Sequence, residues 1–181
     1  MTLGLALAAL LSLPAAAAGL PGVHLRDTAT LKHPERCVLH AVAGKLADDI
    51  GRHRGPAVEA ALRSVAAGPL PVIRFESTTP LAEFQQAVEA QDPGNRPPVF
   101  SNFYSVALDR VYLIDEAAYY RRLKRSMEDS LAHEYVHYLQ VRFLGYSIEH
   151  LRMDDAEGMA VEYQTWYREE YADTGRAPAC P

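Results

Sequence analysis

The stretch "SLAHEYVHYLQ", residues 130–140, sets His133 and His137 four residues apart with Glu134 directly after the first. On an α-helix, positions i and i+4 share a face with Cβ atoms roughly 6 Å apart, so both imidazoles point the same way. Glu134 is turned roughly 100° from His133 and serves poorly as a third ligand beside them. It can instead reach a water held by whatever the histidines hold. Leu131, Val136 and Leu139 give the segment apolar neighbours. They favour a helix set into a core over an exposed polar face carrying two histidines by chance.

Working outward, Ser126 or the turn before it opens this helix, and Gly145 closes it near Leu144. Upstream, Ala117–Arg125 reads as a short helix. "VFSNFYSVALDRVYLID" (99–115) reads as two strands with a turn near Asp109 and Arg110. Residues 92–98 form a Pro/Gly/Asn loop. Before it, Thr79 caps and Pro80 begins a helix that stops at Asp92, and "VIRFES" (72–77) is a strand. Val38–Gly51 and Pro56–Ala67 read as helices. Downstream, a turn at Gly145 and Tyr146 leads to a helix over Asp154–Tyr171, with Gly175 beyond its end. Helices, a small sheet, then helices make an α+β domain with its histidine motif on a helix after the sheet.

A third ligand follows the pair. Nineteen residues separate His137 from Glu157, in "DDAEGMAVEYQTWY". The resulting pattern, H-E-x-x-H–x19–E, resembles the gluzincin zinc metallopeptidases of the thermolysin-like clan. Glu157-Gly158-Met159-Ala160 is similar to the E-G-x-A segment of their aminopeptidase branch. The resemblance covers residues 110–167 and implies a short zincin-like domain. In it His133, His137 and Glu157 hold one Zn²⁺, Glu134 acts as general base, and a peptide or protein is hydrolysed. Glu162, five residues on and on a different side of the helix, is the lesser alternative to Glu157. Gly158 is expected to leave room where two helices and a metal come close.

Two features of the family pattern are absent. Four residues after the glutamate ligand, where thermolysin-like enzymes place an aspartate that holds a histidine, this chain has Val161. Support is then expected from Glu162, Gln164, Asp154 or Asp155. There is no G-x-M-E-N segment, so amino-terminus recognition is not implied. Tyr163, Tyr167 and His150 are the oxyanion-stabilising candidates, and a strand at Val111–Ile114 is the expected partner for an extended peptide by edge pairing. The competing reading is a metal-stabilised binding protein of the same fold without turnover.

Composition bounds the partners. A net charge of −5 over 181 residues argues against nucleic acid, which attracts a basic excess. The apolar run Leu3–Leu13, ended by Pro14 and followed by Ala16–Ala18, reads as an export signal cleaved near Ala18 and Gly19; a buried N-terminal helix is the alternative. The run is too short to cross a bilayer, so no stable membrane insertion is expected after cleavage. The domain expectation is thus a signal over 1–18 and one zincin-like unit over 19–181, exported to a periplasmic or extracellular space. Cys37 and Cys180 would pair in that oxidising setting or else remain two thiols. "YRRLKR" (120–125) reads as a solvated basic face or a contact for acidic peptides. Tyr135, Tyr138, Trp166 and Tyr167 read as packing residues, and nothing catalytic is expected of His24, His33, His40 and His53.

Overall fold

The computed structural model describes residues 27–151 and 153–181. The expected export signal and His24 lie outside them. Helix α1 (Glu35–Leu46) runs on through a π turn (Ala47–Gly51) and a last turn (Arg52–Arg54), and Pro56 then starts α2 (Pro56–Ser64). Strand β1 (Val72–Phe75), helix α3 (Leu81–Gln91), and strands β2 (Phe103–Ser105) and β3 (Arg110–Leu113) follow. Helices α4 (Ala117–Leu123), α5 (Met127–Phe143), α6 (Ile148–Leu151) and α7 (Asp154–Tyr167) complete the order. The α+β expectation holds at this level.

The sheet runs β1-β3-β2, with β1 parallel and β2 antiparallel to β3. The central strand is therefore β3, and its side chains are buried on both faces. Val111 and Leu113 join the main core with Leu39, Leu131 and Leu139, whereas Tyr112 and Ile114 pack with Phe84 of α3 and Phe100. A strand covered on both faces loses apolar–polar alternation, which explains the unbroken "VYLI". With both edges of β3 occupied, the expected pairing of a peptide to Val111–Ile114 is overturned. The edge that faces the cleft belongs to β2.

Helix α5 lies at the centre of the molecule. Ser126 accepts from the Asp129 amide and Asp129 accepts from the Ser126 amide, each at 3.0 Å, so the helix opens on a reciprocal capping box. Gly145, at φ 76°, supplies the left-handed residue that ends it. From Met127 to Gln140 nearly every side chain is buried, against α1 on one side and α7 on another. The polar residues of the motif are thus carried into the interior by their own apolar neighbours. At the start of α3, Pro80 rather than Thr79 takes the capping position, and no side chain caps the helix.

Cys37, in α1, is bonded to Cys180 across 143 residues, the expected pairing. In the chain-entropy account so long a loop stabilises by about 4–5 kcal/mol. Replacing both cysteines by serine is expected to lower the thermal midpoint by roughly 10 °C, at about 2–4 °C per kcal/mol for a domain of this size. An unchanged midpoint by calorimetry would show that the bond contributes nothing to equilibrium stability.

Candidate metal centre

His133, Glu134 and His137 lie in the middle turns of α5, and Glu157 in the first turn of α7. The chain reverses at Gly145, passes through α6, and returns with α7 packed along α5. Gln140 ties the two helices together by donating to the Ala156 carbonyl at 2.9 Å. Glu157, one residue later, is brought opposite the two imidazoles.

Three side chains meet there. The His133 and His137 Nε2 atoms are 3.1 Å apart, and the Glu157 oxygens lie 3.5 Å from the first and 3.4 Å from the second. All three potential ligand atoms fall within 4.8 Å of one another. A tetrahedral zinc with bonds of about 2.0–2.1 Å spaces its ligand atoms about 3.3–3.4 Å apart, close to these separations, of which the two from Glu157 are made by different oxygens, Oε2 towards His133 and Oε1 towards His137. The donor set suits the ion as well, being nitrogen and carboxylate oxygen rather than sulfur.

The protonation logic points the same way. Gln140 uses its amide nitrogen on Ala156, which leaves its Oε1 facing His137 Nδ1 at 2.9 Å. Nδ1 must then carry the proton and donate, freeing the Nε2 lone pair for the centre. Burial pulls the His137 pKa down, but Glu157, Glu134 and Gln140 together raise it above the ordinary value. The two imidazoles beside it, opposed by partial burial, hold Glu157 well below the usual carboxylate range.

Glu134 is only 4% exposed. Burial drives its pKa up; the two imidazoles lower it, Glu157 raises it and the Tyr104 backbone amide lowers it, with a net rise. Glu134 lines two neighbouring recesses. One, a cleft of about 400 Å³, has His133, Glu134, His137 and Glu157 on one wall and Gln91, Asn102 and Tyr104 among the residues opposite. The other, of about 250 Å³, shares Ser101, Asn102, His133 and Glu134 with the first and extends to Arg125, Val161 and Gln164. The Gln91 amide also covers the outward edge of β2, donating to the Tyr104 carbonyl at 3.4 Å and accepting from the Val106 amide at 2.9 Å.

No family model, no curated protein and no solved structure matches this chain. The arrangement of its own side chains therefore carries the functional reading.

Several expected roles fall elsewhere. His137 is supported by Gln140, not by Glu162, Gln164, Asp154 or Asp155; Gln164 instead donates to Asp129 at 3.2 Å. His133 Nδ1 is buried with no hydrogen-bond partner among the described residues, and Val161 lies in the recess beside it. Glu162 lines a separate surface hollow with Lys45 and Asp49. A Cβ on Gly158 would meet nothing within 4 Å, so the expected close approach there is corrected: the helices are not in contact at that point. Tyr163 donates to Asp49 at 2.8 Å, Tyr167 is fully buried, and exposed His150 bonds Ser147; none of the three lines either recess. Gln140 was the residue missed by reading the chain, although its place three residues after His137 puts both on one helix face.

Gln140→Leu keeps the volume and removes the support. Loss of such a partner typically weakens a metal site about 10- to 100-fold. Competition against a chromophoric chelator is expected to show that loss for zinc, and an unaltered affinity would mean that His137 is oriented by packing alone.

Proposed function

We propose that the protein is a zinc-dependent metallopeptidase of the gluzincin kind, working outside the reducing cytosol. The observation that carries this reading is the convergence of His133, His137 and Glu157 on one point beside buried Glu134, within a cleft. Zinc bound there supplies a Lewis acid that acidifies water and polarises a carbonyl. Glu134, which lines both recesses, takes the proton from the attacking water and delivers it to the leaving amine. His133, His137 and Glu157 orient the ion, and Gln140 fixes the tautomer of His137.

The open side of the cleft suits an extended peptide lying along β2, whose outward edge has no neighbouring strand among the described residues. Gln91 already satisfies two backbone groups of that edge, so pairing is limited to the stretch around Asn102. The disulfide fits an exported protein, and no helix among the described residues is long and apolar enough to cross a membrane.

A second reading is favoured by one observation, the unpartnered Nδ1 of His133. It is a metal-stabilised binding protein of the same fold that lacks turnover. Incubation of the zinc-loaded chain with a mixed peptide library separates the two. The peptidase reading predicts new peptide termini that vanish with chelator and return with added zinc. An intact library would leave the binding reading.

A further inference from the structure

The smaller recess differs from the larger in charge. Among its lining residues is exposed Arg125, the last residue of the basic run 120–125, in a chain whose net charge is −5. The other guanidiniums of that run are placed differently. Arg121 is paired with Asp27 at 2.8 Å. Arg122 stands 5.9 Å over the ring of Tyr119, a lining residue, and so adds positive charge at the rim.

Arg125 itself donates to the neutral Gln164 side chain at 3.1 Å. Among the described residues no carboxylate forms an ion pair with it. Two acidic groups lie in its surroundings: Glu134, which lines the same recess, and Asp129, which feels the charge of Arg125 but is buried and occupied by the Ser126 amide and Gln164. Gln164 thus bridges Arg125 and Asp129, orienting the guanidinium without neutralising it. Ser101, Asn102 and Ser130 add polar groups to a lining that also includes Tyr119 and Val161. An oriented guanidinium with spare donors, in a small recess that Glu134 also lines, has the chemistry of a carboxylate subsite.

We propose that Arg125 is a specificity-determining residue that binds a carboxylate of the ligand in this recess, so that the cleft selects peptides presenting an acidic group on that side of Glu134. The assignment rests on the metallopeptidase reading only in taking the ligand to be a peptide. Two sources share the chemistry: an aspartate or glutamate side chain, and a free C-terminal carboxylate.

The test uses three small probes on the zinc-loaded protein, followed by NMR titration. N-acetyl-Ala-Glu-amide carries a side-chain carboxylate, N-acetyl-Ala-Gln with a free acid carries a terminal one, and N-acetyl-Ala-Gln-amide carries none. At least one acidic probe is expected to bind about tenfold more tightly than the neutral one, charge-assisted hydrogen bonds being roughly twice as strong as neutral ones. The better acid identifies the source. Arg125→Ala is expected to bring the ratio towards one, and Arg125→Lys, which keeps the charge and loses the planar fork, to retain part of it. Equal binding of all three probes overturns the proposal, as does a preference that survives Arg125→Ala. Discrimination without cleavage of any peptide would sustain the subsite and remove the hydrolytic reading, whereas cleavage without discrimination would do the reverse.

Discussion

Replacing Glu134 by glutamine is expected to lower peptide hydrolysis by about 10²–10⁴-fold, the usual contribution of a positioned general base, while zinc stays bound. The substitution changes one oxygen to an amide nitrogen and so preserves the shape of a side chain that is almost wholly buried. What it removes is the capacity to accept a proton. Zinc content should survive, because the three side chains that converge are His133, His137 and Glu157, and Glu134 is not among them. Steady-state kinetics on a peptide drawn from the library, with metal analysis of the same samples, reads both quantities. A variant that cleaves as fast as the parent would show that the base lies elsewhere. A variant that loses its zinc would move Glu134 into the coordination set.

The second large effect concerns the ligands. Structural zinc sites with four ligands bind with about 10–16 kcal/mol, or roughly 2.5–4 kcal/mol for each. The double substitution His133→Ala with His137→Ala should therefore weaken zinc by about 10⁴-fold or more, at 1.4 kcal/mol for each factor of ten. Glu157→Gln should cost roughly 10²- to 10³-fold by the same arithmetic. Glu162→Gln serves as the contrast. Its side chain lies in the hollow with Lys45 and Asp49, away from the imidazoles, and should leave the affinity as it was. The same series should appear in stability, since zinc at one hundred times its dissociation constant adds about 2.7 kcal/mol to the folded state. Melting curves with and without zinc should separate for the parent and for Glu162→Gln, and coincide for the double variant.

Much of this site could be read from the chain because its signals are local. The histidine pair needs only the helical period, and the capping residues Ser126 and Gly145 mark that helix from both ends. Glu157 was placed by the nineteen-residue spacing that resembles the gluzincin pattern, and a short reversal followed by a second helix is compatible with that place. The features that were misread depend on neighbours distant in sequence. "VYLI" announces a buried strand but not which strands flank it, and only the order β1-β3-β2 reveals that the free edge near the cleft is β2. Gly158 read as a contact point, yet its position on α7 faces open space, since helix rotation decides which residue meets a neighbour. Tyr163 and Tyr167 could not be excluded as cleft residues until Asp49 and the main core claimed them. Gln140 was overlooked for a different reason. Glutamine is an ordinary helix residue, and its role emerges only when Ala156 fixes the direction of its amide.

The claim beneath all of this is that two imidazoles and one carboxylate, from two adjacent helices, enclose a single divalent ion. X-ray absorption at the zinc edge, on protein purified and then dialysed against metal-free buffer with one equivalent of zinc, addresses it most directly. The account predicts one retained zinc per chain, four nitrogen or oxygen neighbours at about 2.0–2.1 Å, and outer-shell scattering from two imidazoles. Zinc lost on dialysis, or retained with fewer than two imidazoles around it, would contradict the account.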